Sequence, residues 1–137
     1  MPRPLEHACT FDPVEHAYRD AHGQRHRSVT QILSDADCVD LSMVDPDVLA
    51  AAAERGRRVH DLSALWDRVH THSMSLDGFF LAFEVEEMLR GYLAQYERFL
   101  RETGFTAIAG ETERPRLVEI HSTLVGMTPD RVGYFPR

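Results

Sequence analysis

At 137 residues the chain is long enough for one domain with a real hydrophobic core. Hydrophobic residues make up 43% and the formal net charge is −7, which excludes a protein that grips nucleic acid through a uniformly basic surface. No apolar run approaches ~18 residues, the N-terminus has no apolar h-region, and two cysteines, Cys9 and Cys38, make no disulfide scaffold. The composition therefore predicts no membrane span, no signal peptide and a cytoplasmic protein with reduced thiols.

All fifteen basic residues are arginine. Any chemistry that needs a lysine ammonium finds no residue here to supply it.

In chain order, residues 1–10 contain two prolines and read as a loose arm. Residues 11–34 follow as a small hairpin, turning at His22–Gly23, and a short helix that Ser28 can cap through "VTQIL". Residues 35–44 read as loop. The stretch "DPDVLAAAAERGRRVHDLSALWDRVH" opens with Asp45 as N-cap and Pro46 at the first helical position. Val48, Leu49, Ala52, Val59, Leu62, Trp66 and Val69 recur at helical spacing, predicting a helix over about 46–70. Gly56 inside it implies a close backbone neighbour. A second long helix is predicted over about 78–103, with Phe80, Phe83, Met88, Leu89, Tyr92, Tyr96, Phe99 and Leu100 as its buried stripe and Gly104 as its stop. After Gly104 the period changes, and "FTAIAGETERP", "LVEIHSTLVG" and "DRVGYF" read as extended segments. Two long helices packed on a small antiparallel sheet make this a single α+β domain, with 45–104 helical and 105–137 the sheet.

Several side chains could carry chemistry. His60 follows Gly56 by one helical turn and shares its face. Glu113 and Asp130 lie on extended segments, where neighbouring antiparallel strands can bring distant residues together. Two carboxylates and a histidine can hold a hard divalent ion such as Mg²⁺ or Mn²⁺. His70 and His72 form an H-x-H in a connecting loop, and His7, His16, His22 and His26 show no zinc-site spacing. No Gly-rich phosphate loop, Ser-centred elbow or paired CxxC is present.

The ordered set "SVTQIL", "RGRRVH", "RGYLAQYERFL", "TE" and "VGMTPDRVG" resembles the N-terminal part of a PD-(D/E)xK nuclease of the RecB-like, phage-exonuclease type. The resemblance spans about residues 11–135. It implies an incomplete restriction-endonuclease-like core with a metal site at His60, Glu113 and Asp130. Arg55 and Gly56 match the motif that precedes the metal-binding histidine. Arg55, Arg57 and Arg131 become candidate nucleic-acid contacts. The family's following acid-x-Lys strand is not in these residues.

The expected function is therefore that of a truncated, catalytically inactive nuclease-like protein. It would act by binding nucleic acid or a protein of a nuclease or defence complex, in the manner of a phage-encoded inhibitor, with Mg²⁺ or Mn²⁺ held weakly. Two alternatives stand beside it. One is a metal-dependent DNA exonuclease or endonuclease completed by another chain or represented here by a fragment. The other is an α+β interaction module with coincidental motifs. The missing strand also predicts an open sheet edge along 124–135, with Leu124, Val125, Val132, Tyr134 and Phe135 supplying the apolar contact for a protein partner or homodimer.

Overall fold

The computed structural model describes residues 6–69 and 73–137. The first half of the expected N-terminal arm, and the His70 and His72 pair, lie outside the described residues. The protein is α+β, and it divides into two compact units that interleave along the chain. One comprises Met1–Met43 and Glu113–Asp130, the other Val44–Thr112 and Arg131–Arg137.

The first unit is built from short strands. β1 (Glu6–His7), β6 (Arg116–Ile120) and β7 (Thr123–Met127) form an antiparallel sheet in the order β1-β6-β7. Residues 6 and 7, expected in a loose arm, are therefore paired, with Val118 and Leu117. The run "LVEIHSTLVG" is a hairpin and not a single strand. His121 and Ser122 both take left-handed backbone angles, φ 49° and 63°, between the paired residues Ile120 and Thr123. A two-residue turn with both φ positive matches the right-handed twist of the strands, but it is normally built from Asn-Gly. That is why the sequence did not announce it.

β2 (Thr10–Asp12), β3 (Ala17–Arg19) and β4 (Arg25–His26) form a second antiparallel sheet. Its β3–β4 turn is the expected one at Gly23, which has φ 77°. Asp20 organises this turn. Its carboxylate accepts from the backbone N–H of His22 and Gln24, and one oxygen lies 2.8 Å from His26 Nε2. The His26 hydrogen bond, with those two N–H groups, holds Asp20 below the usual carboxylate range against the opposing effect of burial.

Ser28 ends the strand run and starts α1 (Val29–Asp35). Its hydroxyl accepts from Gln31 N while the Gln31 side chain accepts from Ser28 N, a complete capping box. Ser28 bridges Gly126 in parallel, and Gly126 N donates to the Arg27 carbonyl at 2.8 Å. Tyr18 lies against the same glycine, where an added Cβ would stand 2.3 Å from Tyr18 Cγ. The Tyr18 hydroxyl and Thr128 Oγ1 are 2.7 Å apart. Ala17, Tyr18, Leu117, Val118 and Val125 are buried.

The second unit is mainly helical. α2 (Pro46–Val69) begins as expected, with Asp45 Oδ1 accepting from Asp47 N at 2.8 Å. The second predicted helix is two helices, α3 (Leu76–Ala82) and α4 (Glu87–Thr103). The chain leaves α3 through Glu84, at φ 49°, with Glu84 N and Val85 N donating back to Leu81 and Phe80 carbonyls. This is a Schellman stop, which usually takes glycine. The gain is the burial of Val85, 1% exposed, in a core with Leu62, Trp66, Phe79, Leu89 and Leu93.

Trp66 meets Phe79 edge to face at 5.3 Å. The break rotates the stripe, so Met88 and Tyr92 are exposed while Leu93 is buried. Val48, on the first turn of α2, is exposed as well. α4 ends where the sequence indicated, at Gly104 with φ 66°. Gly56 has no close neighbour: nothing lies within 4 Å of a Cβ built there. β5 (Thr106–Ala107) and β8 (Gly133–Tyr134) pair as a two-stranded ribbon. The residues after 104 therefore do not form one sheet, but contribute to two.

Candidate functional site

The β6–β7 hairpin determines where Glu113 and Asp130 fall. Arg116, the first residue of β6, pairs with Met127, the last of β7. Residues just before β6 and just after β7 therefore leave the same end of the hairpin. Glu113 is in the turn before β6, and Asp130 is in the bend after β7. The sequence reading had put both on extended segments, but neither is on a strand.

Glu113 N donates to the Pro129 carbonyl at 3.1 Å, which fastens the two segments beside the acids. Glu113 takes φ 52°, a conformation that costs a non-glycine residue roughly 1 kcal/mol. Both side chains are exposed, and each can present a carboxylate oxygen within 4.8 Å of the other's. Two like charges this close repel, and a divalent cation between them removes the repulsion. Ligand oxygens on opposite sides of one such ion stand about 4–5 Å apart, so the spacing suits a shared ion. Oxygen donors suit Mg²⁺ or Mn²⁺ better than a soft metal.

In the helical unit, His60 is half-buried on α2. Its carbonyl accepts from Ser63 Oγ at 3.0 Å. Ser63 in turn accepts from an Arg131 terminal nitrogen at 2.7 Å, and Arg131 Nε donates to Asp67 Oδ2 at 2.6 Å. The Tyr96 hydroxyl donates to the other Asp67 oxygen at 2.7 Å, and the Arg131 guanidinium lies 5.7 Å from the Tyr96 ring centre.

The Arg131 and Asp67 side chains are only 11% and 13% exposed. Burial and the Asp67 charge push the Tyr96 hydroxyl up to about 12. For Arg131, burial opposes the charge, but Tyr96 and Asp67 outweigh it and raise the pKa further. Arg131, expected as a nucleic-acid contact, is thus committed to an internal ion pair. The signal for this network was thin: Asp67 adjoins Trp66, and Tyr96 was read only as part of an apolar stripe.

Of the other expected contacts, Arg55 is exposed, and Arg57 is exposed but ion-paired with Glu54 on the preceding turn. The expected interface residues do not share one edge. Val125 is buried and Leu124 half-buried on β7, in the first unit. Val132, Tyr134 and Phe135 belong to the second unit, around β8, which is already paired with β5. The β7 edge itself meets Arg27 and Ser28 at Gly126. Among the described residues no helix is long and apolar enough to cross a membrane. No family model, curated protein or solved structure matches the chain.

Proposed function

We propose that the chain binds one divalent metal ion, Mg²⁺ or Mn²⁺, through Glu113 and Asp130, and serves as the metal-holding part of a nuclease-like domain. The observation that carries this reading is the Glu113–Asp130 pair at one end of the β6–β7 hairpin, with carboxylate oxygens within 4.8 Å. The sequence resemblance adds His60 as an expected third ligand.

Bound there, the ion would supply Lewis acidity toward a phosphate oxygen. Glu113 and Asp130 would hold it. The sequence includes no lysine, so these residues offer no ammonium to orient an attacking water. The role of this chain by itself is therefore binding, with nucleic acid as the ligand class that a phosphate-directed ion implies. Its setting is the cytoplasm, in keeping with the free thiols of Cys9 and Cys38.

Calorimetric titration with Mn²⁺ tests the site. The expected result is one ion per chain, with affinity falling at least tenfold in Glu113→Gln and in Asp130→Asn, and less in His60→Ala. Unchanged affinity in both acid variants sinks the proposal. Incubation of labelled single- and double-stranded DNA with Mn²⁺ and the chain alone should leave the DNA uncut, and cutting that Asp130→Asn abolishes would reverse the assignment from binder to enzyme.

A further inference from the structure

α1 is an unusual helix. None of its residues is buried. Val29, Ile32 and Leu33 stand at positions i, i+3 and i+4, on one face, and all are exposed. The loop that follows adds Val39, Leu41 and Met43, which are 50%, 52% and 94% exposed. Six large apolar side chains in fifteen residues face solvent. Single apolar residues on a surface need no explanation, but six gathered in one short segment point to an interaction site.

The segment is also held firmly at its start. Buried Ser28 closes the capping box of α1 and bridges to Gly126 of β7. A surface already fixed in place loses little conformational freedom when a partner covers it.

Charge narrows what the partner can be. From residue 28 to residue 43 the sequence has three acidic residues, Asp35, Asp37 and Asp40, and no arginine, lysine or histidine; Asp35 is paired with Arg27 just before α1. Asp37 and Asp40 are exposed within the apolar run. Ser42 N donates to Asp40, which holds its carboxyl below the usual range. Such a surface repels nucleic acid and anionic lipid alike. Two copies of it face to face would oppose acid to acid.

We propose that residues 29–43 are a docking surface for a protein partner that presents an amphipathic helix whose apolar face is flanked by arginine or lysine. The apolar side chains of this segment pack on that face and its aspartates meet the flanking cations. The inference is independent of the metal site, which draws on none of these residues.

Fluorescence anisotropy with designed peptides tests it. The probes are a labelled 18-residue amphipathic Leu/Arg helix, its Leu/Glu counterpart and an Arg/Ser peptide without apolar residues. The Leu/Arg peptide should bind at least tenfold more tightly than either control. The triple variant Ile32→Ser, Leu33→Ser, Leu41→Ser should lose at least tenfold, and Asp37→Asn with Asp40→Asn several-fold, while Tyr134→Ser binds as the parent does. All the altered side chains are exposed, and unchanged circular dichroism melting would show that the variants fold. Equal binding of the Leu/Glu peptide, or full binding by the triple variant, overturns the proposal. So does a dimer that the triple variant dissociates, or binding to phosphatidylcholine or phosphatidylserine vesicles that it abolishes, because the occupant would then be a second copy or a lipid surface.

Discussion

The two units of this protein reach stability by different means. The helical unit buries six large side chains, Leu62, Trp66, Phe79, Val85, Leu89 and Leu93, in one cluster. The strand unit buries Ala17, Tyr18, Leu117, Val118 and Val125, and its strands are two to five residues long. Strands that short contribute few ladder bonds each. The unit depends instead on particular contacts: Tyr18 against Gly126, Ser28 beside the same glycine, and Asp20 gathering its turn. In the helical unit stability is spread over a contact surface, whereas in the strand unit it is concentrated in a few residues.

Hydrogen exchange resolved along the chain can break this contrast. The largest effect should come from Phe79→Ala, which empties the centre of the helical core and should cost about 3–5 kcal/mol. Protection in α4 should collapse, with a smaller loss in β6 and β7. An equal loss in both units would show that they unfold as one.

Gly126→Ala is the reciprocal test. The new Cβ would overlap the Tyr18 ring, and such overpacking costs roughly 1–3 kcal/mol. Here β6 and β7 should lose protection first. A Tyr18→Ala background should relieve much of the penalty; if it does not, the contact is not what demands glycine.

The polar network sharpens the comparison within the helical unit. Tyr96→Phe removes the hydrogen bond to Asp67 and should cost about 1 kcal/mol at neutral pH. The Tyr96 hydroxyl is raised in the folded protein, to about 12. Its contribution is therefore fully present below the ordinary tyrosine value, near 10, and is lost as pH rises through about 12. Thermal melts between those pH values should destabilise the parent more than Tyr96→Phe. Parallel curves would place the hydroxyl in contact with water.

The smallest effect has the opposite sign. Gly56 has open space where a Cβ would go, so Gly56→Ala should stabilise α2 by at most about 1 kcal/mol. A loss of stability would mean that the glycine is kept for a close contact after all.

Much of the helical unit could be read from the chain alone. Asp45, Pro46 and Gly104 are local signals: a side chain accepts its own helix's N–H, a ring fits the first turn, and a missing Cβ permits φ 66°. The same holds for the Ser28 capping box and the Gly23 turn. The α3–α4 break was not legible, because Glu84 takes a backbone usually left to glycine so that Val85 can be buried. The His121–Ser122 turn was hidden for the same reason. At the candidate site the residue types could be chosen from sequence, but their placement off the strand ends could not.

What the sequence alone determined here is the acidic charge, the absence of lysine, the helix caps and the α+β class. These depend on composition and on interactions within a few residues. What only the tertiary structure decided is which surfaces are used. It committed Arg131 to Asp67 and Tyr96, brought Glu113 beside Asp130 through the β6–β7 register, and left α1 without a buried residue. The first two outcomes depend on partners beyond the reach of any local pattern, which does not encode the free energy of meeting them.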